Sequence, residues 1–124
     1  MRGKALVAAT AVAALFAQGA AQAGGDADTK VTIKAPGSEV FGYVKSSKPN
    51  KCADDRLVKV FRQKGGSQGG GDDVKIGSDR AQANGDRYQW SIGNPGVQGK
   101  KIFAKAGRIP GCLPDASPTI VAGT

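Results

Sequence analysis

From Lys30 onward, apolar residues fall at every second position, the period of a strand with one buried face. KVTIK (30–34) puts Val31 and Ile33 on one side. After the turn APGS, EVFGYVKS (39–46) sets Val40, Gly42 and Val44 against Phe41 and Tyr43. RLVKVFRQ (56–63) repeats the pattern, with Val58 and Val60 opposed to Leu57 and Phe61. Between these two runs lies SKPNKCADD (47–55), read as a loop. VKIGSDRAQ (74–82) forms a short strand. ANGDRYQWSI (83–92) then carries the hairpin pair Asn84-Gly85 ahead of alternating Tyr88, Trp90 and Ile92. KKIFAKAG (100–107) puts Ile102, Ala104 and Ala106 opposite Phe103, and SPTIVAGT (117–124) is read as a final edge strand. KGGSQGGGDD (64–73) holds five glycines and no apolar residue, which predicts an exposed, flexible connection.

Runs this short, rich in β-branched and aromatic residues and separated by turn signals, predict an all-β chain. The expected architecture is an Ig-like antiparallel β-sandwich of about seven short strands. No internal repeat is evident.

The first residues follow a different rule. Arg2 and Lys4 precede an uncharged stretch from Ala5 to Ala17, and Ala21-Gln22-Ala23 gives a small-x-small signature before Gly24. This three-part layout is that of a cleavable secretory signal helix, cut after Ala23. The apolar run is too short for a membrane span, and no later segment approaches the required ~20 residues. The domain plan is therefore signal peptide 1–23, a flexible polar lead-in 24–28, and one sandwich domain 29–124. The mature chain is expected outside the cytoplasm, secreted, with no membrane span.

Export gives meaning to the two cysteines. Cys52 and Cys112 both survive cleavage, and two thiols in an exported chain predict one internal disulfide. It would tie the basic loop to the C-terminal segment RIPGCLPDASP (108–118). Closing a loop of that length stabilises a chain by roughly 4 kcal/mol on the entropy model. A redox role would need a CxxC pair, which the sequence lacks. No metal site is expected: there is no histidine, and two cysteines do not fill a zinc shell.

The run IGSDRAQANGDRYQWSIGNPGVQGKKIFAKA (76–106) resembles the core of carboxypeptidase regulatory-like domains of exported bacterial proteins. The matching features are Ile76, the Asn84-Gly85 turn, the aromatic strand Tyr88 to Ile92, the Asn94-Pro95-Gly96 turn, and Phe103 to Ala106. Upstream, FGYVKSSKPNKCADDRLVKVFR (41–62) looks like the opening of such domains. The resemblance implies a transthyretin-like sandwich that is non-catalytic and serves as a spacer or docking module. The related collagen-adhesin domains carry a Lys–Asn isopeptide bond. The acids and the last strand of this chain do not supply that bond, since Glu39 is its sole Glu.

Other chemistry is sparse. Without histidine a hydrolase lacks its usual base, and Ser46 and Ser47 beside Lys45 and Lys48 read as a solvated loop. The glycine loop has no Gly-Lys-Ser/Thr, so it is not a phosphate loop. An EF-hand frame through Asn84-Gly85 would put Arg80 and Gln82 at ligand positions, which fails. The chain is thus expected to be no enzyme and to need no cofactor.

Lysine and arginine number 18 against 10 acids, and loss of Arg2 and Lys4 lowers the formal charge from +8 to +6. The cations are spread along the strands with few aromatics between them, which argues against nucleic acid. A secreted structural or interaction module of the envelope or medium is the leading expectation. A binder of an anionic or carbohydrate envelope polymer is the alternative, and another envelope protein is a further candidate partner. Contacts would come from Lys48, Lys51, Arg62 and a sugar platform at Trp90 and Tyr88, although an alternating strand more often buries such a tryptophan.

Overall fold

The computed structural model describes residues 25–124; the segment expected as a signal peptide, with Ala21, Ala23 and Gly24, lies outside them. The strands run β1 Lys30–Val31, β2 Val40–Lys45, β3 Leu57–Arg62, β4 Val74–Arg80, β5 Gln82–Asn84, β6 Arg87–Gly93, β7 Lys101–Ala106, β8 Asp115–Ala116 and β9 Ile120–Val121. One short helix, α1 Pro49–Cys52, interrupts them where the sequence reads as a loop.

Two antiparallel sheets face each other as an all-β sandwich. The first has the order β1-β2-β6-β5; the second runs β4-β3-β7-β8, with β9 also on β7. The alternation correctly assigns the inner faces: Val40, Val44, Val58, Val60, Ile102 and Ala104 are all buried. At Ala81, wholly buried, the chain passes from the second sheet to the first in one residue. The switch gives one corner of the sandwich, in keeping with strands that change sheets at a bend.

Trp90 fills the centre of the core, with no exposed surface. Its space is made by Gly42, its register partner across β2 and β6. A Cβ at Gly42 would stand 2.8 Å from Trp90 Cζ2 and would also collide with the Thr32 carbonyl. Trp90 is therefore a core residue, the reading that alternation favours, and it offers no ring face to a sugar.

The hairpin between β5 and β6 also differs from the sequence expectation. Asn84 pairs with Arg87, so the two turn residues are Gly85 and Asp86. Only Gly85 among them has positive φ, at 66°. This is the arrangement with glycine in the first turn position, whereas the Asn-Gly reading needs positive φ at both.

The lead-in is docked. Ala27 is buried, donates from its amide to Gly111 O at 2.9 Å and accepts from Leu113 N at 2.9 Å. Asp26 pairs with Arg108, and Asp28 accepts from Ser47 N at 2.9 Å. The free lead-in expected over 24–28 is thus corrected from Asp26 onward. Composition suggests disorder, but it cannot show that the Cys112 segment supplies a strand-like partner.

Cys52 and Cys112 are joined, with Cα atoms 5.6 Å apart and a sequence separation of 60. Beside the bridge sits Arg56, 2% exposed. Its Nη1 donates to Cys52 O and Thr29 Oγ1, and its Nη2 to Gly107 O and Leu113 O. One guanidinium therefore fastens the lead-in, α1, the exit of β7 and the C-terminal segment.

Candidate functional site

The outward face of the second sheet is where the sandwich departs from a plain solvated surface. On β3 the outward positions are Leu57, Lys59 and Phe61; on β7 they include Phe103 and Lys105. The register sets Lys59 opposite Lys105 and Phe61 opposite Phe103. The two rings stack, with centroids 5.5 Å apart and planes at 22°. Phe103 is almost completely buried, which leaves Phe61 as the half-exposed ring of the pair. On the other side, β4 sets Ser78 opposite Lys59, Arg80 opposite Leu57 and Lys75 opposite Phe61. A register shift between Val60 and Phe61 adds local twist at the aromatic pair.

The glycine-rich segment 64–73 covers one end of this face and is anchored there. Gln68 Nε2 donates to Ser117 O and Thr119 Oγ1, both at 2.8 Å. Gly65 O accepts from Gln63 Nε2 and from Lys101 Nζ, and Asp73 Oδ2 accepts from Gly69 N at 2.6 Å. The segment is largely exposed, as expected, but not a free connection: Gln68 holds it between β8 and β9, and Lys101 at the start of β7 holds it through Gly65 O.

Under that segment lies a pocket of about 410 Å³, lined by Phe61, Phe103, Lys105, Gln68 and Asp73 among others. A second pocket of about 330 Å³ is lined by Arg56, Leu57, Lys59, Phe61, Lys105 and Ile109. The two share Phe61 and Lys105, so they adjoin along the sheet. Their electrostatics differ. The second is lined by three cations and no carboxylate, whereas the first has Asp73, whose Oδ1 lacks a hydrogen-bond partner.

Arg56 adds to the positive potential from below. No carboxylate pairs with it; carbonyl and hydroxyl oxygens take its hydrogen bonds. Burial pushes the guanidinium below its ordinary pKa, yet an arginine stays charged across the accessible range.

The residues expected as contacts are not brought together. Trp90 is in the core. Arg62 pairs with Ile102, so it lies on the inward side of β3, away from Lys59. Lys48 precedes α1 and Lys51 lies within it, where the Lys51 side chain lies against Gly111 beside the disulfide. Lys59, Phe61, Phe103 and Lys105 take their place. Alternation already put Leu57 and Phe61 on one face of their strand; the pairing of β3 with β7 was the missing step.

The acids around the central hairpin do not converge either. Among the described residues no group of three or more His, Cys, Asp and Glu is placed to hold a metal ion. Asp79 accepts from Ser91 N and Asp73 from Gly69 N, so both serve the backbone. Among the described residues no helix is long and apolar enough to cross a membrane.

No family model, curated protein or solved structure matches the chain.

Proposed function

We propose that this chain is an exported, non-catalytic β-sandwich interaction module whose partner is an anionic polymer of the cell envelope. The observation that carries the reading is the outward face of the second sheet, where Lys59 is set against Lys105 beside the Phe61–Phe103 pair. Like charges directly opposite one another destabilise a sheet, so a face that keeps them is suited to a negatively charged partner. The layout of the N-terminus supports export, and the disulfide fits an oxidising compartment. The lack of histidine supports a binding role over hydrolysis. The resemblance to carboxypeptidase regulatory-like domains points the same way, toward a docking module.

The test is co-sedimentation of the purified protein with purified envelope polymer at low and at high salt. Binding that salt releases is expected, because the contacts are exposed lysines that a short Debye length screens. Protein that stays in solution at low salt would overturn the reading.

A further inference from the structure

The two pockets on the second sheet share a wall, and they differ in charge. This combination says more about the ligand than net charge does. In the pocket of about 330 Å³, Lys59, Lys105 and the buried Arg56 meet the half-exposed ring of Phe61. An anionic group and an apolar ring face are therefore accommodated within one pocket. A polyphosphate-like chain offers charge but no ring to lie on Phe61. A neutral sugar offers a ring face but leaves the three cations unanswered. A sugar acid carries both on one unit: its carboxylate takes charge-assisted hydrogen bonds from lysine, and its C–H face packs on an aromatic ring.

The adjoining pocket of about 410 Å³ has a different lining. Lys105 is shared, but Asp73 and Gln68 replace the other cations, and the anchored glycine-rich segment forms its wall. That lining offers hydrogen bonds to the hydroxyl groups of a next unit. Two pockets sharing Phe61 and Lys105 thus match consecutive units of a chain. Resting on the reading proposed above, we infer that the groove takes an acidic glycan of the uronate type, with a carboxylate beside Lys59 and Lys105 and its ring on Phe61. Arg56 contributes its field and not a contact, since its Nη atoms are occupied by protein oxygens.

The experiment is a titration of the purified, isotope-labelled protein, followed by amide chemical shifts, with three probes: a galacturonate tetramer, its methyl ester, and a polyphosphate of equal charge. The galacturonate is expected to move the amides of Phe61, Gly69 and Lys105 in a saturable way. The methyl ester should bind at least ten-fold more weakly. Lys59→Ala and Phe61→Leu should each weaken galacturonate about ten-fold, and only Lys59→Ala should weaken polyphosphate. Phe61→Leu keeps the apolar volume, and a thermal melt of each variant separates lost binding from lost folding. Equal binding of the tetramer and its ester, shifts confined to another surface, or indifference to Phe61→Leu would each overturn the inference. If envelope polymer still co-sediments in that event, the anionic-polymer reading stands and the uronate assignment alone falls. If the envelope polymer fails as well, both fall.

Discussion

Lys59 on β3 stands directly opposite Lys105 on β7, with both side chains on the outward face. Such a pair costs a sheet about 0.2–1 kcal/mol relative to a neutral one. Lys105→Glu turns the repulsion into an attraction across the same register. It is expected to raise stability by up to about 1 kcal/mol, a few degrees in melting temperature for a domain of this size. The same change should abolish polymer binding. Melting and co-sedimentation on one preparation would show the two effects moving in opposite directions; a fall in both would refute the argument.

Gly42 and Trp90 form the second sensitive relationship. The missing Cβ of Gly42 is what lets the indole approach β2 this closely. Part of the obstruction is the Thr32 backbone, which cannot swing away as a side chain would. Gly42→Ala is therefore expected to cost about 3 kcal/mol, at the upper end for overpacking. Urea unfolding followed by the emission of this single tryptophan would measure it. The same emission should not change when polymer binds, because Trp90 is out of reach of any surface ligand.

How far the sequence foretells this molecule depends on the range of the interaction. The faces of β2, β3 and β7 follow from a period of two and need only neighbouring residues. The cysteine pairing follows from the count of two and the export that the N-terminal layout leads one to expect. The site does not, because Phe61 and Phe103 lie in strands separated by the whole glycine-rich segment and three further strands. Alternation shows which way each ring points but not that the rings meet. Arg56 was equally hidden: in sequence it is one more cation at a strand start, and its burial depends on carbonyls from Cys52, Gly107 and Leu113. The hairpin turn shifted by one residue: Asn84 pairs with Arg87, whereas an Asn84-Gly85 turn would pair Ala83 with Asp86.

The disulfide spans 60 residues and ties α1 to the C-terminal segment. Reducing it, or replacing both cysteines by serine, frees a long loop in the unfolded chain. The expected loss is roughly 4 kcal/mol on the loop-entropy model. Denaturant midpoints with and without reductant would measure it, and coincident midpoints would contradict the staple.

Asp28 links the docked lead-in to the loop before α1. The hydrogen bonds from Ser47, side chain first and backbone second, hold its carboxyl below the usual aspartate range. Because the folded-state value lies under the unfolded one, the contribution is complete at pH above the ordinary aspartate range. It is lost as pH falls through the folded value. Asp28→Asn should accordingly differ from the wild type near neutral pH and converge with it in acid. Stability curves of the two proteins against pH would test this, and a gap that widened in acid would contradict the assignment.

Arg56 is the side chain on which most of the lower end of the sandwich depends. Its four hydrogen bonds reach Thr29, Cys52, Gly107 and Leu113, which belong to four different parts of the chain. A planar fork of donors suits that geometry, whereas an ammonium cannot reach four acceptors in one plane. Arg56→Lys keeps the charge but leaves buried oxygens without donors, at about 1–3 kcal/mol for each such group. The expected loss is about 3 kcal/mol, concentrated at this end of the fold. Amide exchange should quicken first at Ala27 and Leu113, whose paired amides close the lead-in. The Val58 and Val60 amides, in the middle of β3, should keep their protection until global unfolding. Uniform loss of protection across both groups would show that Arg56 supports the whole domain and not the lead-in and C-terminal segment it binds.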